Sequence, residues 1–257
     1  MTLRNYRDDN GLNADINIRT HDIATIGLWG PKAANALGNF IDPNDIDIKN
    51  FPFVTAKNLT LNLSGEKKVD VWAARISYVG ESGWEIYFNN DKDDGLALYD
   101  SLLEVGVIPV GIETYANSRR LEKCFRLQGA DLETEYNAIE AAIQRPLVKE
   151  ADFHGKFAHL AHRKEDPCAI LCTMTLDDLN VSGKTRYPVG ISPIIDPTTG
   201  EVPIDSKGRR SYTTGMSYCP SIKKFVVMGY LPKQIAFKGK SLLIEYFNED
   251  GDGLYPM

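Results

Sequence analysis

The stretch Val71-Trp-Ala-Ala-Arg-Ile-Ser-Tyr-Val-Gly-Glu-Ser-Gly-Trp-Glu-Ile-Tyr-Phe88 constrains the fold more than any other part of the chain. Aromatic and β-branched residues fill two arms, and Gly80 and Gly83 sit where a reversal needs them. The stretch therefore predicts a hairpin, with Arg75 to Tyr78 as its first strand, Gly80 to Gly83 as the turn and Trp84 to Phe88 as the second strand. Glu81 falls in the turn and reads as structural or solvated. Glu85 lies inside the second arm between Trp84 and Ile86, where side chains alternate between faces. A carboxylate in that setting is either on the wet face of a sheet or buried with donors that offset its desolvation. A flat heterocycle with two adjacent N–H groups would be one such donor set.

The chain has 257 residues, enough for one large domain or two ordinary ones. A net charge of −6 argues against a nucleic-acid binder that relies on phosphate contacts. It leaves room for a small anionic ligand held by a local arginine cluster. No run approaches the roughly 18 apolar residues of a membrane span, and the N-terminus is polar and charged. The expectation is a cytoplasmic protein that binds neither nucleic acid nor membrane. Of the four cysteines, Cys168 and Cys172 stand four apart in an apolar stretch. On a strand that spacing puts them about 13 Å apart, too far for a shared metal or a disulfide. No metal site is expected.

In chain order, Ala14 to Arg19 alternates like an edge strand, and Ile23 to Trp29 reads as a more buried one. Gly30-Pro31 then opens a helix over Lys32 to Phe40, with proline in the first turn where its missing N–H costs nothing. Two strands and a helix cannot bury both faces, so this unit reads as incomplete or as leaning on another element. Strands are expected at Phe51-Pro-Phe53 and Val54 to Leu63, a polar turn over Asn62 to Lys67, and a helix over Asp93 to Val105. A short strand at Gly106 to Gly111 and a helix over Glu113 to Phe125 follow, which completes an α+β pattern. After a short helix over Lys156 to His162 come strands without helices: Ala169 to Thr175, Ser192 to Ile195, Ser211 to Ser217, Phe225 to Leu231 and Ser241 to Phe247. Their spacing suggests a small all-β barrel or sandwich. Asp250-Gly-Asp-Gly253 lacks the remaining ligands of a calcium loop and reads as a solvated turn.

Seven motifs in order carry a family resemblance. Ser77-Tyr-Val-Gly-Glu-Ser-Gly-Trp-Glu85 resembles the signature of the aminomethyltransferase family, the T-protein of the glycine cleavage system. Leu28-Trp-Gly-Pro31, Ser118-Arg-Arg-Leu-Glu-Lys123, Gly129-Ala-Asp131, Asp152-Phe-His-Gly-Lys156, Thr213-Thr-Gly-Met-Ser217 and Met228-Gly-Tyr-Leu231 resemble further segments of that family. Glu122-Lys123 and Phe51-Pro-Phe53 add similarity to the folate domains of dimethylglycine and sarcosine dehydrogenases. The resemblance implies an α+β folate-binding cloverleaf: a partial first domain over 1–45, an α+β middle domain over 46–148 and a C-terminal all-β barrel over 149–257. It implies tetrahydrofolate as cofactor, with Glu85 binding the pterin ring and Tyr78 and Trp84 walling the pocket. Arg120 and Glu122 match a helix pair that reads as interior scaffolding.

The departures shape the functional expectation. Asp8 and Asp9 do not stand in the Gly-Gly-x-x-Asp-Asp context of the family's catalytic aspartate, and Ala116 stands where the family has a folate-contacting arginine. The last strands also look short. The resemblance thus implies a one-carbon transferase or demethylase shortened at its N-terminus, with no nameable catalytic residue. Its donor would be a small methylated amine or a lipoyl carrier. The alternative is a non-catalytic folate-binding or scaffold subunit that pairs with a second chain, or with itself, through the Ile23–Trp29 strand. A third reading, an iron–sulfur or RNA-modification relative, finds only a loose echo in Lys123 to Gly129.

Overall fold

The computed structural model describes residues 2–90, 92–176, 190–248 and 251–256. They form two compact units, one of residues 1–77 with 81–109 and one of 78–80 with 110–257.

The first unit is built on a four-stranded antiparallel sheet: β1 (Ile23–Trp29), β2 (Ala56–Asn62), β3 (Lys68–Ala74) and β4 (Gly83–Asn89), in the order β1-β4-β3-β2. β1 pairs with the second arm of the hairpin, in a register that sets Gly27 opposite Glu85 and Ile26 opposite Ile86. β4 pairs on its other side with β3, Ala74 opposite Glu85 and Trp72 opposite Tyr87. The hairpin exists, but its first arm ends at Ala74 rather than running from Arg75 to Tyr78. Arg75 turns into the interior, where Nη1 donates to the carbonyls of Ile46 and Phe51 at 3.0 and 2.7 Å and the guanidinium lies 4.9 Å from the Trp84 ring centroid. Those two carbonyls anchor the chain away from β4.

Helices α2 (Ala33–Leu37), α3 (Pro43–Ile46) and α4 (Lys92–Glu104) contribute Leu37, Ile46, Leu98 and Leu102 to a core with Leu61, Val71, Trp84, Ile86 and Phe88. Asp42 caps α3 by accepting from the amide of Asn44 at 2.9 Å. Besides Arg75–Tyr78, three expected strands are absent. Residues 12–19 have no regular structure, and Ile18 is exposed, because alternation makes a strand only against a partner edge. Phe51-Pro-Phe53 is a bend that buries Phe51 and exposes Phe53, and residues 107–111 run irregularly with Ile108 and Val110 exposed. A further short helix, α1 (Leu3–Asp9), buries no residue.

In the second unit, residues Thr114–Arg119 form a π-helical segment that runs into α5 (Arg120–Glu122) where a regular helix was expected. The Ala116 carbonyl is the ordinary α-helical acceptor for the amide of residue 120. Here it accepts from Arg120 Nε at 2.7 Å, and the amide turns to Asn117 instead. After α6 (Lys156–His162), strands β5 (Ala169–Thr175), β6 (Ile194–Ile195), β7 (Thr213–Cys219), β8 (Lys224–Pro232), β9 (Leu243–Asn248) and β10 (Gly251–Pro256) form two three-stranded antiparallel sheets, β5-β8-β7 and β10-β9-β6. Thr213 bonds Ile191 and Ser192, and Ile194 bonds Ser211, which ties the sheets together along one edge. Closure into the expected barrel is not seen among the described residues. Of the Asp250–Gly253 turn, Asp250 lies outside the described residues and Gly251–Gly253 opens β10.

Two ion clusters hold this unit. Arg120 and Asp131, both fully buried, pair directly. Asp131 also accepts from Thr214 Oγ1 and from the amide of Leu127 at 2.8 Å, and its carbonyl takes the Tyr230 hydroxyl at 2.7 Å. Gly215 makes room, since a Cβ there would stand 2.6 Å from Arg120 Nη2. Glu122, the expected companion of Arg120, instead accepts from Arg119 and from the amide of Ser221, each at 3.0 Å. In the second cluster Arg209 pairs with Glu140 and donates to Asp205 at 2.7 Å and to the Glu135 carbonyl at 2.6 Å. Its guanidinium lies 4.2 Å from the centroid of the Tyr136 ring, which stacks on Tyr230.

Replacing Arg209 with methionine leaves two nearly buried carboxylates without their cation. The expected loss is about 3–5 kcal/mol of unfolding free energy by denaturant titration; a loss under about 1 kcal/mol would refute the structural role given to the cluster. Burial alone would raise the Glu140 and Asp205 carboxyls, but hydrogen bonds and charge from Arg209, with backbone amides, outweigh it and lower both. A carboxyl lowered in the folded state adds stability above its unfolded pKa and loses it as pH falls through the folded one. The thermal midpoint is therefore expected to hold above the ordinary carboxylate range, about pH 4, and to fall below it. Arg209→Met should flatten that acid limb.

Candidate functional site

The alternation of β4 sorts its residues into two sets. Trp84, Ile86 and Phe88 enter the core of the first unit, while Glu85 and Tyr87 stand half-buried on the opposite face of the sheet. Antiparallel pairing brings Gly27 and Thr25 of β1 and Ala74 and Trp72 of β3 beside them on that face. Pairing of Asn58 with Trp72 and of Thr60 with Asp70 adds β2 and completes it. Helices α2, α3 and α4 pack on the core side.

Glu85 is held by Tyr87, whose hydroxyl donates to Oε2 at 2.5 Å. Glu85 Oε1 takes no hydrogen bond from the described residues. Trp29 folds back along β1, so that a Cβ at Gly27, directly opposite Glu85, would stand 2.1 Å from the indole ring. Only glycine lets that ring lie flat there. The indole nitrogen donates to the Ile76 carbonyl at 3.0 Å, which fixes the ring against the chain leaving β3. Gly83 meets the same strand, where a Cβ would lie 2.0 Å from the Leu28 carbonyl. Farther along the face, Trp72 and Tyr87 set their rings 5.1 Å apart, and a cavity of about 870 Å³ opens over them.

Of the three residues expected at the site, Glu85 is on this face. Trp84 is not: it is 0% exposed, packs on Phe51 and Arg75, and points away from Glu85 as its neighbour on a strand must. It builds core rather than pocket wall. Tyr78 belongs to the second unit, where its hydroxyl donates to the Arg126 carbonyl at 2.8 Å and its ring packs on Tyr115 and Phe125. Burial raises its pKa, with the charge of Arg120 opposing. The aromatic residues that do share a face with Glu85 are Tyr87, Trp72 and Trp29. Tyr87 follows from counting two along the strand, but Trp72 and Trp29 need the register. Ala116, where a folate-contacting arginine was expected, gives its carbonyl to Arg120. No helix among the described residues is long and apolar enough to cross a membrane.

Comparison with known proteins adds to this geometry. The GCVT N-terminal domain model matches residues 2–150, more than half of the chain. Human mitochondrial dimethylglycine dehydrogenase is 29% identical over 255 residues, which cover 93% of this chain and 26% of that protein. The aminomethyltransferase of Symbiobacterium thermophilum is 30% identical over 237 residues, 90% of this chain and 57% of the enzyme. The crystal structure of glycine cleavage system aminomethyltransferase T from Bartonella henselae superposes with a TM-score of 0.67 at 20% identity, over 91% of this chain and 57% of that one, and so shares its fold. This chain thus spans less than two thirds of the length of each of these relatives. The family model and the hairpin that carries Glu85 agree, and the chain belongs to the aminomethyltransferase family.

Proposed function

We propose that the chain binds tetrahydrofolate on the outer face of its first sheet and takes part in one-carbon transfer. The observation that carries this reading is Glu85. It is a half-buried carboxylate with one oxygen held by Tyr87 and the other without a donor among the described residues, on a face walled by aromatic rings. A carboxylate in that state fits a planar ring that offers adjacent N–H donors, because a bidentate charged pair restores the hydrogen bonds lost on desolvation. When bound, the folate would supply the carrier for the one-carbon unit. Glu85 would accept from the ring N–H groups, Tyr87 would fix the carboxylate's rotamer, and Trp29 would shield that hydrogen-bonded pair from water. The residues the proposal uses on this face, Glu85, Tyr87 and Trp29, all lie in the first unit. Trp84 acts only as the core support behind Glu85.

Within the family frame, the one-carbon donor is a small methylated amine, as the dimethylglycine dehydrogenase similarity suggests, or an aminomethyl group on a lipoyl carrier. No residue is assigned as catalytic. A second reading, a folate-binding subunit completed by another chain, is favoured by β1. It is an edge strand of seven residues without charge or proline, and alternate backbone groups on its outer side have no partner strand among the described residues.

Titration of the purified chain with tetrahydrofolate, by calorimetry or fluorescence, tests the proposal. Glu85→Ala is expected to weaken binding by about 1–3 kcal/mol, and Tyr87→Phe by about 0.5–1.5 kcal/mol. Absence of binding by the wild type, or equal binding by wild type and Glu85→Ala, would refute it.

A further inference from the structure

The cavity over Trp72 and Tyr87 has a chemistry of its own. Its walls come from all four strands of the first sheet, and its volume of about 870 Å³ exceeds what a single small ring fills. Glu85 is not among the lining residues; Asp70 is. Asp70 stands two residues before Trp72 on the same face of β3, and its Oδ1 accepts from Thr60 Oγ1 at 2.6 Å. That bond holds the carboxylate but does not neutralise it, and no cation pairs with Asp70 among the described residues. No lysine or arginine lines the cavity. Lys68, two residues before Asp70 on the same face, lies outside it. The remaining polar groups are neutral: Thr25, Asn58, Thr60 and Asn89.

Two aromatic faces and one uncompensated carboxylate select for positive charge. An anion would meet Asp70 with no cation to offset it. A hard inorganic cation needs a shell of several oxygens, and rings cannot supply them. A weakly hydrated organic cation loses little on leaving water and gains both the ring quadrupoles and the carboxylate field. We propose that this cavity is a binding site for a small alkylated ammonium ion, with Trp72 and Tyr87 facing its alkyl groups and Asp70 supplying the counter-charge. The two proposals are read out separately, because Glu85, which carries the folate reading, is not among the residues that line this cavity.

Titrating the full chain with tetramethylammonium chloride, followed by ligand-observed NMR against matched sodium chloride, tests the assignment. Saturable binding is expected. Trp72→Leu and Asp70→Asn should each weaken it by about two- to fivefold, and Trp72→Phe should largely keep it. Trp72 and Asp70 are exposed, so these variants should melt like the wild type, which a thermal scan checks. The neutral isostere tert-butyl alcohol should not compete. A response no greater than that to sodium chloride, equal competition by the alcohol, or binding indifferent to both variants would overturn the proposal. Failure of folate binding with ammonium binding intact would sink the folate reading alone.

Discussion

The two-residue alternation of β4, locked between β1 and β3, is the constraint on which the first unit depends. A central strand cannot slip by one residue, because every side chain would change faces together. Here a slip would drive Glu85 into the core beside Phe51 and lift Trp84 into solvent. Burying a large aromatic side chain is worth about 1.5–3 kcal/mol, and burying an unpaired carboxylate costs still more. The core residues Trp84, Ile86 and Phe88 therefore fix the position of Glu85 and Tyr87 as firmly as any direct contact. Glycine does the rest. Gly27 and Gly83 let Trp29 and the Leu28 carbonyl come closer than any side chain would allow.

The second unit is specified differently. Its interior holds charges that only their partners can satisfy. Arg120 reaches three oxygen acceptors at once: the Asp131 carboxylate and the carbonyls of Ala116 and Phe125. The local cost is visible in the backbone, where the Ala116 carbonyl is taken from the helix and the preceding turns widen into a π-helix. Replacing such a network with apolar residues can be neutral, whereas breaking it leaves a bare charge, so the network acts chiefly to exclude other packings. The Thr213–Gly215 segment shows the same logic, with Thr214 on the Asp131 carboxylate and Gly215 clearing space for the guanidinium.

These differences explain what the sequence made legible. Strands whose residues contact a core on one face, such as Ile23–Trp29, Ala169–Thr175 and Trp84–Phe88, stand out because hydrophobic alternation is the cause of their pairing. Ala14–Arg19 has the alternation without a partner, and Arg75–Tyr78 has strand-forming residues but an arginine with better acceptors inside. Both outcomes depend on contacts far away in sequence. The site was partly legible for the same reason. Glu85 follows from motif and position, and the face it shares with Tyr87 follows from the strand period. Trp84 stands next to Glu85 in sequence but on the opposite side of the sheet, because adjacent residues of a strand point apart. Trp72 and Trp29 join Glu85 only through register, which no local pattern encodes.

The sign of the charge on the sheet face bears on which part of a folate it can hold. Glu85 and Asp70 are both on that face, and the cavity lining contains no cation. Like charges raise the cost of adding another anion, whereas N–H donors and organic cations lower it. A folate has both kinds of end: a neutral ring rich in N–H donors and a tail of carboxylates. The face suits the first and repels the second, so orientation is set by electrostatics before any close contact forms. A folate bound as proposed would therefore meet the sheet with its ring, and its carboxylates would find their partners away from this face.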